Sequence, residues 1–406
     1  MRVAILESIV MPAGHEVEFD RILINELKQQ GHEPVLFVPE NFPFKVDYGV
    51  DIVHLEGGEV VTYAGASKWK KPFLSILRER RRRSWFTSAA QKIKEHNIDA
   101  LIIPTGTYRY IKALLDTPLK DSQAAVHVIF HGIGKGEMDR FIKQAYRANA
   151  YKNVYLDVIS LRDDMLRSEL RRVRKILPPV FLPSSELSGK QGNATTQGAA
   201  NQQGLDHLNS TDGIGANKER TIFVDKPIKL GFFGQFRKEK NIERFIDAFV
   251  SLNYDDSVQL VVQGATVKPE DGELFESIIK QYSKYSNIQF IHASLIGKDW
   301  DRALLSVDAL LLPYGAERYR YHWAAMLFTA IGFQKPVLIS PEINPEVLEQ
   351  YSIGEVLNLD SVNSIGQGIQ RFVENLQHNK EQYNQGLMNA NEDYSHRALI
   401  QSIINV

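Results

Sequence analysis

Short apolar runs alternate with longer amphipathic segments along this chain, and this alternation limits the possible fold more than any other feature. After the first run, Phe19, Ile22, Leu23 and Leu27 recur at helical spacing, and Gly31 follows where a helix can end. A strand, a helix and a strand in this order predict a parallel α/β sheet. Its predicted strands are Val3–Leu6, Pro34–Val38, Asp51–Leu55, Ala100–Ile103, Val126–Phe130 and Tyr155–Ile159.

The composition changes abruptly near Pro183. Residues 183–219 contain almost no large apolar side chains and are rich in Gly, Asn, Gln, Ser and Thr, so they cannot bury enough surface to offset their ordering entropy. The strand, loop and helix order then restarts at Ile228. We therefore predict two α/β domains, 1–182 and 227–390, joined by a flexible linker or disordered insertion, 183–226.

Composition also excludes several classes of protein. The chain has no cysteine, which excludes disulfides, thiolate chemistry and cysteine-ligated metal. No run approaches the ~20 apolar residues of a membrane span, and the first apolar run is too short for a signal peptide, so we expect a cytoplasmic protein. The net charge of −1 argues against nucleic acid as a partner. No metal-binding motif is present at suitable spacing, so we predict no metal site.

A basic loop follows the first strand of the second half. In "IKLGFFGQFRKEKN" the apolar run breaks at Gly234, and Arg237, Lys238 and Lys240 precede an amphipathic helix. Backbone N–H groups at the start of a helix attract anions, and ligands of open α/β sheets bind at this edge of the sheet. The pattern predicts a phosphate or diphosphate site, although a basic turn that is simply solvated has the same sequence.

A second segment strengthens that interpretation. In Val307–Ser340 a buried strand ends at Pro313-Tyr314, a polar and aromatic loop follows, and a helix rich in small residues starts near Trp323. The two segments together resemble the donor-binding half of the two-domain GT-B glycosyltransferases, in particular the retaining group 1 (family 4-like) enzymes related to bacterial mannosyltransferases and glycogen synthase. Their first motif reads roughly G-R-x-x-x-x-K-[GN], with which Gly234, Lys240 and Asn241 are in register.

The chain also departs from that group. Gln235 occupies the place of the usual arginine, and Arg237 is the nearby guanidinium that could substitute for it. The second motif usually carries two glutamates, whose positions here are Tyr321 and Thr329, and Glu317 is the one acid in that loop.

A related subset of the group also lacks the glutamate pair and fits this chain better. Ala324 and Ala325 replace its Ser-Gly at the start of the helix, where small side chains let phosphates approach backbone N–H groups.

The resemblance implies an α/β fold of two Rossmann-like domains facing each other across a cleft, with a C-terminal helix, 391–406, crossing back to the first domain. It implies diphosphate contacts from Lys240 and a nucleobase near His292–Gly297. The implied donor-binding residues are Gly234, Gln235, Lys240, Asn241, Ser294, Leu295, Tyr314, Glu317, Ala324, Ala325 and Thr329. The implied catalytic residues are His131, Lys240 and Arg237.

His131 follows a buried strand, at a position where such enzymes often carry a histidine near the sugar or acceptor. A histidine that serves only the structure fits this position equally well. Gly14 and His15, at the start of the first helix, are the expected acceptor side.

The implied activity is transfer of a sugar from a nucleotide-diphospho-sugar, UDP- or GDP-linked, to a glycan or lipid-linked acceptor. The resemblance implies a retaining, metal-independent reaction without a cofactor, in the synthesis of bacterial surface polysaccharide or glycoconjugate. Three alternatives stay open. One is a non-catalytic GT-B subunit that stabilises or targets a partner transferase, suggested by Gln235 and the missing glutamates. The second is an epimerase-type isomerase. The third is a two-lobed solute-binding protein, and the missing export signal disfavours this third alternative.

Residues 67–86 combine basic and aromatic side chains. They include eight basic residues and a single acid, Glu79, among Trp69, Phe73 and Trp85. This composition suits contact with an anionic membrane surface, and a solvated helix packed on the first domain is the alternative. A second basic helix, predicted at Arg162–Lys175, would enlarge the patch if it lay on the same face.

Overall fold

Two parallel β-sheets form the framework of the protein in the computed structural model. The model describes residues 1–9, 16–44, 46–62, 67, 69–163, 166–184 and 226–404. Of the predicted linker, only residues 183, 184 and 226 lie inside the described ranges.

The first sheet has seven strands in the order β3-β2-β1-β4-β5-β6-β7. The strands are β1 (Arg2–Leu6), β2 (Glu33–Pro39), β3 (Asp51–Leu55), β4 (Ala100–Ile103), β5 (Ala125–Phe130), β6 (Val154–Ile159) and β7 (Val173–Ile176). Its helices are α1 (Glu16–Gln29), α2 (Lys71–Glu95), α3 (Tyr108–Leu115) and α4 (Met138–Ala148). The six strands predicted for this half are therefore confirmed.

The second sheet has six strands in the order β10-β9-β8-β11-β12-β13. They are β8 (Ile228–Phe232), β9 (Val258–Gln263), β10 (Ile288–Ile291), β11 (Ala309–Leu312), β12 (Val337–Ile339) and β13 (Gly354–Val356). The helices are α5 (Ile242–Ser251), α6 (Pro269–Tyr282), α7 (Lys298–Leu305), α8 (Ala325–Gly332), α9 (Pro345–Gln350), α10 (Val362–His378), α11 (Lys380–Asp393) and α12 (His396–Ile404).

Both sheets therefore have the same Rossmann-like topology, as the sequence predicted. In each sheet the strand order reverses beside its first strand, between β1 and β4 and between β8 and β11. Ligands of open α/β sheets bind at such a switch point, beyond the carboxyl ends of the strands. A ligand-binding site is therefore expected at the loops that follow β8 and β11.

The predicted helix at Arg162–Lys175 is wrong, because Val173–Ile176 forms strand β7, parallel to β6. Buried Leu170 and Val173 are spaced for a helix, but Val173 pairs with Leu156, which satisfies the open edge of β6. The side chain of Arg174 then reaches fully buried Asp157 with an Nη2–Oδ1 distance of 2.6 Å. An ion pair between neighbouring strands has outweighed the helical pattern.

The two halves are joined by direct contacts at several points. The Phe181 N–H, beyond β7, donates to the Phe328 carbonyl oxygen of α8 at 3.3 Å. Helix α12 contacts α1 and β7, and Arg174 Nη2 donates to the Ile403 carbonyl oxygen at 3.2 Å. The last described helix of the chain thus packs on the first half of the molecule.

Gly332, the last residue of α8, tests this joint, since a Cβ there would lie 2.0 Å from the Phe181 carbonyl oxygen. We expect Gly332→Ala to lower the free energy of unfolding by about 1–3 kcal/mol, because backbone must move. Urea unfolding measures the change.

Gly366→Ala in α10 is the matched control. Its nearest atom would be 3.6 Å away, an ordinary contact, so alanine should be neutral or should stabilise by up to about 1 kcal/mol. Equal effects of the two substitutions would contradict the close approach at Phe181.

Candidate functional site

A buried glutamine organises the loop that follows β8. The Gly234 N–H donates to Gln263 Oε1 at 2.8 Å, and Gln263 Nε2 donates to the Ala293 carbonyl oxygen at 2.5 Å. Gln263 is the last residue of β9. Its side chain therefore links the loops that follow β8 and β10. Gly234 has φ of +112°, a conformation that a residue with a Cβ rarely adopts. Gln263 was not predicted from the sequence, where its signal is only the polar residue that ends the run "VQLVVQ".

Lys240 lies in the turn between this loop and α5. The turn is a short 3-10 helix, Lys238–Lys240, and Asn241 adopts a left-handed conformation that starts α5. The Lys240 side chain is buried, with its ammonium 4.6 Å from the Tyr314 ring centre and 5.6 Å from that of Phe232. Within the described residues no carboxylate forms an ion pair with this ammonium.

The electrostatics of this turn favour an anion. Burial, followed by the cations of Arg237 and Arg318, lowers the pKa of Lys240 to about 7, while Glu239 raises it. Glu239 Oε1 lies 2.5 Å from Arg318 Nη2 and 3.8 Å from Arg237 Nη1, so this carboxylate pairs with the two arginines and leaves Lys240 without an ion-pair partner among the described residues. Arg237 also donates to Gln235 Oε1 at 2.9 Å. A phosphate beside Lys240 would oppose this lowering of its pKa, because a neighbouring negative charge favours the protonated ammonium.

The loop after β11 packs directly on this turn. The Gly315 N–H donates to the Glu239 carbonyl oxygen at 3.1 Å, and a Cβ on Gly315 would lie 2.3 Å from Asn241 Nδ2. Tyr314 is buried, its hydroxyl has no hydrogen-bond partner within the described residues, and burial raises its pKa. The structure thus brings together Gly234, Gln235, Arg237, Lys240, Asn241 and Tyr314. It adds Arg318, which the sequence analysis missed because a lone arginine in a polar loop gives no pattern.

Helix α8 begins beside the second loop. The Ala324 N–H is occupied, because it donates to Asn344 Oδ1 at 2.9 Å, whereas the N–H groups of the next residues, starting with Ala325, lie in the helix's first turn. Thr329 lies one turn further on. It is buried, and its hydroxyl donates to the Ala325 carbonyl oxygen at 2.9 Å. This hydroxyl is therefore satisfied within the helix.

His131 lies where the two halves touch. Its Nε2–H donates to the Pro104 carbonyl oxygen at 2.9 Å, and its ring centre is 5.8 Å from that of Trp323. His322 Nδ1 donates to the His131 carbonyl oxygen at 3.2 Å. Gly132 pairs with His322, and a Cβ on Gly132 would lie 2.4 Å from the Tyr321 carbonyl oxygen.

The remaining predicted residues lie farther out. Glu317 is exposed, with Oε1 3.7 Å from the Lys135 ammonium of the first half. Ser294 and Leu295 belong to the loop between β10 and α7, and Ser294 is exposed. Gly14 and His15 lie outside the described residues.

Neither a metal-binding cluster nor a membrane-spanning helix occurs among the described residues. No group of three or more His, Asp and Glu side chains could hold a metal ion. No described helix has the length and apolar character needed to cross a membrane.

Residues 214–387 match the family model described as Glycosyl transferases group 1. No curated protein matches the chain. Among solved structures, a glycosyltransferase from Rickettsia africae ESF-5 has 11% identity and a TM-score of 0.64, with 98% of this chain and 96% of that chain covered.

Two further solved structures are similar. Anabaena HepE in complex with UDP and glucose has 13% identity and a TM-score of 0.62, covering 99% of this chain and 97% of its own. WaaG, a glycosyltransferase involved in lipopolysaccharide biosynthesis, has 14% identity and a TM-score of 0.53, covering 97% and 95%. The GT-B fold expected from the sequence is confirmed.

The lowered pKa of Lys240 predicts a pH-dependent stability. Between pH about 7, the folded value, and its unfolded value near 10.5, the unfolded chain holds a proton at this lysine that the folded chain has lost. The lysine therefore costs stability below pH 7, and that cost fades as the pH rises to 10.

We expect Lys240→Met to raise the free energy of unfolding at pH 6 by a few kcal/mol at most, and by much less at pH 10, since one pKa unit corresponds to about 1.4 kcal/mol. Urea unfolding at the two pH values measures this difference. An effect of Lys240→Met that is the same at both would contradict a depressed pKa. Exposed Lys238→Met is the control and should show no such trend.

Proposed function

We propose that this chain, whose residues 214–387 match the model of Glycosyl transferases group 1, is a glycosyltransferase that moves a sugar from a nucleoside-diphosphate sugar to a glycan or lipid-linked acceptor. The observation that carries the proposal is buried Lys240, between the loops that follow β8 and β11 at the switch point of the second sheet. A diphosphate leaving group placed there would meet the ammonium, two nearby guanidinium groups and the first turn of α8.

These groups suit the chemistry of glycosyl transfer. As the bond between the sugar C1 and the diphosphate oxygen breaks, negative charge develops on that oxygen. Positive charge held beside that oxygen stabilises it, most strongly where the cation is buried, as Lys240 is. The side chains of Lys240, Arg237 and Arg318 supply this positive charge, so we propose a reaction that needs no metal ion.

We propose that the configuration at C1 is retained. The acceptor hydroxyl would attack on the face from which the diphosphate leaves, and its proton would pass to the departing phosphate oxygen. Such a step requires no protein nucleophile. His131 would form part of the acceptor side, with its ring orientation fixed by the hydrogen bond to Pro104.

The ligands bound in similar structures support uridine as the base. HepE is described with UDP-glucose, and an E. coli trehalose-6-phosphate protein with UDP-2-fluoro glucose. We therefore place UDP-sugars ahead of GDP-sugars as donors. The described role of WaaG in lipopolysaccharide biosynthesis supports bacterial surface polysaccharide or glycoconjugate synthesis as the setting.

A thermal-shift titration with UDP, GDP, ADP, CMP and dTDP tests donor binding. We expect UDP to raise the unfolding temperature of the wild type, because a ligand that binds only the folded state stabilises it. Lys240→Met should abolish the shift, and Lys238→Met, in the same turn, should keep it.

If none of these nucleotides shifts the wild type at millimolar concentration, the proposal fails. A non-catalytic GT-B subunit, suggested by Gln235 and by the hydroxyl of Thr329 being used inside α8, then becomes the better account. A pull-down for a partner transferase would be the next experiment.

Nucleotide binding should also be linked to protons. At pH 8 the buried Lys240 is mostly neutral when its pKa is about 7, and a bound diphosphate restores its charge. We expect UDP binding at pH 8 to take up close to one proton. Isothermal titration calorimetry in buffers of different ionisation enthalpy measures this number. Lys240→Arg, whose charge does not titrate, should take up none; equal uptake by both would contradict the assignment.

A further inference from the structure

The first turns of α2 project beyond the sheet on which its later turns pack. Arg81 Nη1 donates to the Gly57 carbonyl oxygen at 2.6 Å, and Trp85 Nε1 donates to that of Gly58 at 2.8 Å. Both glycines lie within three residues of the end of β3, so these bonds mark the level at which the strand ends. Lys71 lies ten residues before Arg81, a distance of about 15 Å along a helix.

These projecting turns carry an apolar outer face. Trp69, just before the helix, is 89% exposed, Phe73 76% and Ile76 62%. The face opposite to them is the one that buries Trp85, Phe86 and Ile93 farther along the helix. A helix exposed only to water would be polar on this outer face.

The same outer face is polar in the second half of α2. Arg80, Ser84, Thr87 and Gln91 continue it, and all of them are exposed. The apolar character is thus confined to the turns that project, whereas an ordinary solvated helix would be polar throughout. Exposed apolar residues that cluster in one place in this way are typical of an interaction surface.

The charge around this apolar tip is positive. Exposed Lys70 and Lys71 flank it, and the first turn of α2 has no acidic residue. Acidic residues are the ones that stabilise the first turn of a helix, so two lysines there are unfavourable unless an anion lies nearby. The partner should therefore be both apolar and anionic.

Helices α3 and α4 extend the basic surface. A hollow of about 460 Å³ between them is lined by Tyr108, Lys112, Arg140, Lys143, Gln144 and Arg147. The Tyr108 hydroxyl accepts hydrogen bonds from Arg109 and Arg140, which lowers its pKa. Helix α3 contacts both α2 and α4, so the hollow and the apolar tip belong to one layer of helices.

From these features we infer that the outer surface of α2, α3 and α4 docks on an anionic phospholipid bilayer. Trp69, Phe73 and Ile76 would enter the headgroup region, and the lysines and the basic hollow would face lipid phosphates. Aromatic and aliphatic side chains flanked by Lys and Arg are the combination that binds such an interface. The inference is independent of the proposed donor chemistry, since none of these residues belongs to the nucleotide site.

Vesicle co-sedimentation of the full chain tests the inference. We expect binding to vesicles that mix phosphatidylcholine and phosphatidylglycerol in roughly equal amounts, little binding to phosphatidylcholine alone, and weaker binding as salt is raised. Lys70→Gln with Lys71→Gln should lower the partition coefficient roughly thirtyfold, since each cation near the surface contributes about 1 kcal/mol. Lys92→Gln with Lys94→Gln, at the other end of α2, is the matched control and should change little.

A second pair of variants tests the apolar tip. Phe73→Ser with Ile76→Ser should reduce vesicle binding at least tenfold, a loss of about 1.4 kcal/mol, whereas Thr87→Ser with Gln91→Ser on the same outer face should not. On addition of anionic vesicles the tryptophan fluorescence should shift to the blue, and Trp69→Phe should lose most of that shift while it still binds.

Equal binding to both kinds of vesicle, or none to either at low salt, would overturn the inference. So would a dimer seen by light scattering that Phe73→Ser with Ile76→Ser dissociates, because the tip would then contact a second copy. Every variant should keep the thermal shift with UDP. A loss of vesicle binding with that shift intact leaves the donor proposal untouched, and the reverse result leaves the membrane inference untouched.

Discussion

The burial of one lysine is the constraint around which the second half of the molecule is arranged. An ammonium enclosed by the Tyr314 and Phe232 rings is costly unless an anion joins it, and cation–π contact offsets only part of that cost. Two neighbouring arginines increase the cost further. The buried lysine thus lowers stability at a place where the proposed phosphate would offset the cost, and such a perturbed group in a loop at a switch point is typical of a functional site.

The surrounding structure holds this lysine in place. Gln263 fixes the loop after β8, and Gly315 allows the loop after β11 to approach Asn241 closely. The joint between the halves lies nearby, where the Phe181 and Trp323 rings stack with their centres 5.8 Å apart and the His131 ring centre also lies 5.8 Å from that of Trp323. The loop that carries Tyr314 and Arg318, which we propose lie at the donor site, therefore also forms the contact with the first half.

Much of the fold could be predicted from the sequence, because buried parallel strands give continuous Val- and Ile-rich runs and amphipathic helices give a regular spacing. Lys240 could be placed because it lies at a fixed distance from Gly234 within a motif. Arg318 and Gln263 could not, since their importance comes from neighbours distant in sequence. The helix predicted at Arg162–Lys175 failed for a similar reason: local spacing favoured a helix, but the open edge of β6 and the buried carboxylate of Asp157 decided the outcome.

A crystal structure of the chain with UDP bound would test the central claim most directly. The account predicts the β-phosphate within about 3 Å of the Lys240 ammonium, between the loops after β8 and β11, with Arg237 or Arg318 as a further contact. A well-occupied UDP whose phosphates lie elsewhere, with Lys240 still enclosed by Tyr314 and Phe232, would contradict it.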